Sequence, residues 1–555
     1  MTPTSEGLRR ARLALLLLPL LTLFACALDY VTRISPPSLP PPKPEEVRYG
    51  DASVRVGPAY LTRRGRVWVT HVKGTPVELG YRYARLTTPM MAEGDRRMKA
   101  LFETLVPSPA FRWAMTSYVR VHYRHLGEEL PSARRAELFG EASGYADDFN
   151  DSFPTYQRFV YLHGLYDISL AFEHSPLLGC TAFAASGPAT SDGTSPGHTI
   201  VGRNFDLDVD PWFDEDKVVQ IVEPEAGLAF VSVAWPGMLG VVSGMNEEGI
   251  WISVNGARAG EPRSEGVPIV FATRAVLEEA RSLDDALATI ARYPPMVSHI
   301  LFLADGKTGE SMIVERAPNL PSGVVRYPAT AVVSNHFRTS PLRDDPKDAR
   351  VREITSTEAR QARMEELLGR HYGRIDPQVA VAILRDRSGV GDKALPLGNR
   401  NAVDALVATH SVVADLTARV IWVSEGPNTL GTYRRFDLAE RLRHGEAAAR
   451  GEAEGDFAPD PLLTDEMYER YCLGRRARAG AEKRAAEGQL DAATDLYRCA
   501  LAFRDDDHHA WRGLALAEER LGHAQEAQSA WARVLALVPD TPEAKREAED
   551  HLRPQ

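Results

Sequence analysis

Residues 174–208 read HSPLLGCTAFAASGPATSDGTSPGHTIVGRNFDLD, and the reading of this stretch decides the fold. Cys180 stands inside it, with Gly179 before it and Thr181 after it. A turn-rich run follows, in which Asp192-Gly193 and Pro196-Gly197 let the chain reverse. The flanking β-rich runs at 181–185 and 199–203 predict a hairpin that returns Arg203 and Asp206 beside the thiol. A free cysteine is mostly protonated at neutral pH, and only its thiolate attacks. Cutting the Gly179–Cys180 bond would give Cys180 an α-amino group. With a pKa of about 7.7–8.0, that amine can serve as base on the same residue. Small Gly179 leaves the backbone free for the strained shape that self-attack needs. Residue type by itself favours a blander reading, because most free cysteines are small buried hydrophobes.

Four motifs in order reverse that judgement: GCTAFAAS, GRNFDLD, GMNEEGIWISVNG and VVSNHF. Together they resemble the N-terminal-nucleophile hydrolases of the penicillin acyltransferase type, the C45 peptidase family, which are relatives of choloylglycine hydrolase and acid ceramidase. The resemblance runs from roughly Gly50 to Asp437. It implies an α+β fold with a four-layer αββα sandwich. It also implies self-cleavage between Gly179 and Cys180, with Cys180 as the nucleophile.

The same resemblance gives roles to four further residues. Arg203 and Asp206 match the family's Arg-x-x-Asp: Asp206 accepts from the Cys180 ammonium and Arg203 stabilises the thiolate. Their alternative is a surface ion pair worth at most about 1 kcal/mol. Asn255, ending WISVN, matches an asparagine of the oxyanion hole, where an amide N–H lowers the barrier by about 3–4 kcal/mol. Its alternative is a hairpin turn at Asn255-Gly256. Asn335 matches a second active-site asparagine that orients the α-amino group or the tetrahedral intermediate; its alternative is a strand-end turn. A further arginine after Asn335 stays open among Arg338, Arg343, Arg350 and Arg352.

Length and composition set the outer limits. The chain has 555 residues, enough for several domains, and a net charge of −11 with no Lys/Arg-rich block, which gives no sign of nucleic-acid binding. Its four cysteines, Cys26, Cys180, Cys472 and Cys499, are too few for a disulfide framework, and none has zinc-site spacing. The chemistry outlined above requires no metal and no organic cofactor.

The amino terminus reads as an export signal. Arg9, Arg10 and Arg12 precede the apolar run 13–23, and Leu23-Phe24-Ala25-Cys26 resembles the end of a bacterial lipoprotein signal with Cys26 lipidated. An ordinary signal peptide or an uncleaved anchor is the alternative, although the run is short for a span of about 20 residues. SPPSLPPPKP at 35–44 predicts a polyproline spacer that holds the body off a membrane.

The rest divides by pattern. Residues 1–26 are the signal and 27–49 the proline-rich tether. Residues 50–179 form a helical amino-terminal region, the smaller chain after cleavage, and 180–440 the catalytic domain. Residues 441–480 are a linker and helix, and 481–555 are helical repeats. Thr75-Pro76-Val77-Glu78 carries the cap, proline and acid of a helix start. His71, His163, His198 and His410 read as packing or surface residues, and Asn246 as turn chemistry. A papain-like pairing of Cys180 with His336 or His410 lacks the surroundings that such a cysteine has. Near the end, Gly488 aligns with Gly522, Ala493 with Ala527, Tyr497 with Trp531 and Leu501 with Leu535, a spacing that resembles two tetratricopeptide units.

These readings converge on an exported, self-cleaving cysteine amidohydrolase or acyltransferase of the cell envelope, lipid-anchored to a bacterial membrane. It would act on a small acylated amide, with a peptide or protein partner at the repeats. A phospholipase-B-like acyl hydrolase and a catalytically dead envelope adaptor are the alternatives.

Overall fold

The computed structural model describes residues 23, 26–147, 154–171, 178–208 and 210–553. Most of the residues on which the export reading rests, and His174, lie outside the described residues. Among the described residues no helix is long and apolar enough to cross a membrane.

Two β-sheets form the centre. The larger has eleven strands, in spatial order Val47–Tyr49, Ser53–Val56, Ala59–Arg64, Val67–Gly74, Val218–Pro224, Phe230–Ala234, Ser243–Asn246, Ile250–Gly256, His299–Asp305, Ser311–Arg316 and Gly323–Tyr327. Neighbours are antiparallel except Val67–Gly74 and Val218–Pro224, which run parallel. The smaller has six strands, in order Thr330–Val333, Leu178–Gly187, Gly197–Leu207, Ala408–Asp415, Val420–Ser424 and Tyr433–Asp437.

Strand alternation sorts side chains into layers. Ile250, Ile252 and Val254 join a core against the amino-terminal helices, whereas Trp251 on the same strand packs toward the second sheet. In the smaller sheet Ala182, Ala184 and Val201 face inward. Phe183, Ala185 and Ile200 face outward, onto the helices Thr357–Arg370 and Pro377–Leu384. The order is therefore helices, sheet, sheet, helices.

The amino-terminal region holds both helices and strands. Its helices are present, and Pro76–Leu105 starts at the expected cap, with Thr75 and Glu78 bonded reciprocally. Three strands of the larger sheet also come from this region, and a fourth, Val47–Tyr49, comes from the end of the tether. A buried charge network joins it to the catalytic region: Arg134 pairs with Glu278 at 2.9 Å and Arg274 with Glu137 at 2.8 Å.

The proline-rich stretch is held at both ends rather than free. Thr32 and Ile34 are buried, and Gln157 donates to the Thr32 carbonyl at 2.7 Å. Beyond the prolines, Glu45 pairs with Arg82 at 2.6 Å. Ion pairing and burial of an isoleucine attach the two ends of this stretch to the body of the protein.

The carboxyl-terminal helices Glu466–Ala486, Leu490–Phe503, His508–Leu521, Ala524–Ala536 and Pro542–His551 share their own apolar core. Gly488 and Gly522 both adopt left-handed backbone, φ 77° and 83°, which glycine tolerates at no steric cost. Tyr497 and Trp531 are buried at equivalent places.

Candidate active site

The expected hairpin forms between Leu178–Gly187 and Gly197–Leu207. Its register sets Cys180 opposite Phe205, Gly179 opposite Asp206 and Ala182 opposite Arg203. Residues opposite one another share a face, and alternate residues swap faces. Cys180, Arg203 and Phe205 therefore lie on the inward face, and Asp206 on the outward one. A spacing of three along a strand sends Arg203 and Asp206 to opposite sides of the same backbone.

Cys180 is fully buried. Its sulfur lies 3.8 Å from Arg203 Nη2. Burial pushes the thiol up; the Arg203 charge pulls it down, Asp206 pushes it up and Arg360 pulls it down. Arg203 is itself buried and held in place: it donates to Asn255 Oδ1 at 2.8 Å and to the Val254 carbonyl at 2.6 Å. Its guanidinium lies over the Phe205 ring, 5.2 Å from the centroid.

Asn255 is fixed by that contact. With its oxygen taken by Arg203, its amide donates to the Ser334 carbonyl at 2.8 Å. An amide nitrogen carries two hydrogens, so one donor remains. Asn335 lies next to Ser334 on the same chain segment. Its Oδ1 accepts from the Cys180 N–H at 2.8 Å, and its Nδ2 donates to the Gly256 carbonyl at 2.9 Å. The neighbours Asn255 and Gly256, and Ser334 and Asn335, thus cross-link two strand ends around the cysteine.

Asp206 sits beside Gly179, and the Cys180 N–H donates to Asn335. A side chain built on Gly179 would meet its Cβ and Oδ2 at 3.5 Å. Burial pushes its carboxyl up to about 6, against the pull of Arg360 and Arg400.

Arg360 completes the set, and the sequence reading missed it. It donates to the Cys180 carbonyl at 2.8 Å, to Thr181 Oγ1 at 2.5 Å and to Asn335 Oδ1 at 2.9 Å. The four arginines named as options lie elsewhere: Arg338, Arg343, Arg350 and Arg352 pair with Glu365, Asp344, Glu353 and Asp348. Thr357, one helical turn before Arg360, accepts from the Asn335 N–H at 2.8 Å. An i, i+3 pair on one helix therefore holds both the backbone and the side chain of Asn335. Tyr166 also went unnoticed. Its buried hydroxyl has no hydrogen-bond partner among the described residues, and burial pushes it well up, with the Cys180 charge adding to the push.

The histidines stand apart from the thiol. His410 bonds to Ser243, His336 to Thr357, His198 to Asp415 and His163 to the Phe159 carbonyl and the Leu239 N–H. Asn246 accepts from the N–H groups of Glu248 and Ile250 as a turn residue does. The arrangement around Cys180 is a nucleophile with a cation beside it and amide groups fixed on either side. That equipment suits acyl transfer.

Residues 193–429 match the family described as acyl-coenzyme A:6-aminopenicillanic acid acyl-transferase. The matched part, under half of the chain, holds Arg203, Asp206, Asn255, Asn335 and Arg360, and Cys180 lies ahead of it. An uncharacterized protein of Archaeoglobus fulgidus is 26% identical over 262 residues, which cover 44% of this chain and 42% of the relative. Among solved structures, the chain is similar to an N-acylethanolamine-hydrolyzing acid amidase ortholog of Caenorhabditis elegans. That match is 17% identical, covers 43% of this chain and 93% of the other, and has a TM-score of 0.32. Penicillin V acylase from Agrobacterium tumefaciens is 15% identical, with 47% and 87% covered and a TM-score of 0.31. A mutant form of conjugated bile acid hydrolase from Clostridium perfringens is 12% identical, with 47% and 93% covered and a TM-score of 0.31.

Proposed function

We propose that this chain is an exported N-terminal-nucleophile hydrolase. It cuts its own Gly179–Cys180 bond and then cleaves a linear amide through a thioester on Cys180. The observation that carries this reading is the convergence of Arg203, Asn335 and Arg360 on one cysteine and on its own backbone N–H and C=O. A cysteine that merely filled a core would need no partner for its nitrogen from a side chain 155 residues away. The family match over 193–429 and the four stacked layers support the same reading, that of an αββα sandwich.

The first stage is self-cleavage. The Cys180 sulfur attacks the Gly179 carbonyl carbon, the C–N bond breaks, and the nitrogen takes the thiol's proton. Water then hydrolyses the resulting thioester, freeing a Gly179 carboxylate and the Cys180 thiol. In the second stage the liberated α-amine accepts the thiol proton. Asn335 Oδ1, already bonded to that nitrogen, orients it. Arg203 steadies the thiolate as it forms. The sulfur attacks the substrate carbonyl, and the spare N–H of Asn255 faces the developing oxyanion. The leaving amine takes the proton from the ammonium, and water resolves the acyl-enzyme by the same route in reverse. Asp206, behind the strand, balances the charge of Arg360.

Lipidation at Cys26 would place the enzyme on an envelope membrane, and Cys26 is exposed. The paired carboxyl-terminal helices would serve as tetratricopeptide-like units that hold a peptide or protein partner.

Mass measurement under denaturing conditions tests the reading. Wild-type protein should give a fragment that begins at Cys180, and Cys180→Ala should stay a single chain. A working wild type with no terminus at Cys180 would overturn it.

A further inference from the structure

The carboxyl-terminal helices carry a cluster that the chemistry at Cys180 does not use. His508 and His509 open the helix His508–Leu521, and Asp540 lies just before Pro542–His551. One ligand atom from each of the three lies within 4.8 Å of the other two. His509 Nε2 is 2.7 Å from Asp540 Oδ2, and His508 Nε2 is 3.6 Å from the same oxygen. A tetrahedral zinc site with bonds of about 2.0–2.1 Å spaces its ligand atoms by about 3.4 Å. Small side-chain shifts would bring the set to that spacing, and half-exposed His509 is free to make them.

Two further observations point to a ligand. His508 is 4% exposed, yet its Nε2 has no hydrogen-bond partner among the described residues. A buried polar atom left unsatisfied costs about 1–3 kcal/mol, so its place in a fold calls for an occupant. The second observation is how the surrounding charges are matched. Arg400 and Arg475 pair with Asp208, Arg478 with Asp507, and Arg504 with Asp506. Among the described residues Asp540 pairs with no arginine side chain and faces the two imidazoles, while its other oxygen accepts the Arg400 backbone N–H at 2.9 Å.

We infer that His508, His509 and Asp540 form a binding site for a divalent transition-metal ion of the zinc type, with a fourth position open to water. Two nitrogens and one carboxylate suit zinc, whereas calcium and magnesium prefer oxygen throughout. The bound ion would tie the start of one helix to the segment before the next. Asn399 and Asn401 of the catalytic region donate to the Val538 and Pro539 carbonyls of that same segment. The ion would therefore also fasten the helical unit to the loop that leads into the strand Ala408–Asp415.

The test uses the full-length chain stripped of metal and titrated with Co²⁺ and then Zn²⁺. One equivalent of Co²⁺ should bind with the visible bands of nitrogen and oxygen ligation and no thiolate charge-transfer band, and Zn²⁺ should displace it. Zn²⁺ should also raise the melting temperature. Loss of a neighbour to a ligand weakens metal affinity by about 10–100-fold, so loss of a direct ligand in His509→Ala or Asp540→Asn should exceed about 100-fold. Circular dichroism keeps the result readable, because half-exposed His509 can be replaced without unfolding. A thiolate band, no stoichiometric binding, or unchanged affinity in both variants would overturn the site.

Discussion

The side-chain carbonyl of Asn335 accepts the backbone N–H of Cys180 at 2.8 Å, and the same oxygen takes a second donor, Arg360, at 2.9 Å. The nitrogen that would become the amino terminus is thus oriented before any bond is cut.

Asn335→Ala and Arg360→Ala should therefore both slow self-cleavage. A charge-assisted hydrogen bond of this kind contributes about 1.5–3 kcal/mol, so each variant should process roughly 10- to 100-fold more slowly. Arg360→Lys should recover little of the loss, because a compact ammonium lacks the planar fork whose two nitrogens span Cys180, Thr181 and Asn335. The rate at which the smaller fragment accumulates on a denaturing gel measures this.

Asp206 gives the protein a distinctive pH dependence. Its carboxyl titrates at about 6 when folded and at about 3.9 when unfolded. The folded state therefore holds the proton more tightly, and stability falls as pH rises between those values. About two pKa units correspond to about 3 kcal/mol. In a Cys180→Ala background, Asp206→Asn should gain up to about 3 kcal/mol at pH 7.5 and almost nothing at pH 3.5. Urea denaturation at the two pH values decides it.

Gly179 tells against a strict need for glycine before the cysteine. It lies in the strand Leu178–Gly187 and is absent from the positive-φ glycines, and an added Cβ meets only ordinary contacts at 3.5 Å and beyond. Gly179→Ala should fold normally and process within about tenfold of wild type, about 1.4 kcal/mol of barrier. A block to cleavage in that variant would show that the strained route, not the resting conformation, selects glycine.

Trp531 is 1% exposed and donates to Glu519 at 2.7 Å. Trp531→Ala should destabilise the carboxyl-terminal helices by about 3–5 kcal/mol. Calorimetry should show an early transition for that unit, with self-cleavage unchanged.

The sequence showed the hairpin plainly, because turn residues between two β-rich runs are a local signal. Cys180, Arg203, Asn255 and Asn335 were picked out by the family resemblance, because each stands in a short contiguous motif, whereas residue type by itself left Cys180 a buried hydrophobe. Arg360 could not be: it reaches Asn335 from a helix 25 residues further on, across a fold that spacing does not encode. The position of Asp206 was half legible. Its nearness to the cysteine follows from the hairpin, but the side of the strand it occupies follows only from register. The anchored proline stretch was hidden because the partners of Thr32 and Glu45, Gln157 and Arg82, lie far along the chain.

The parallel pairing of Val67–Gly74 with Val218–Pro224 has one last consequence. These two strands lie on opposite sides of the proposed cut in sequence, yet they are hydrogen-bonded neighbours within a single sheet. Breaking the peptide link would yield two polypeptides that stay interlocked, with a shared interior neither could form alone. Maturation would then alter one terminus while the assembly keeps its shape, and the halves would co-purify until a denaturant separates them.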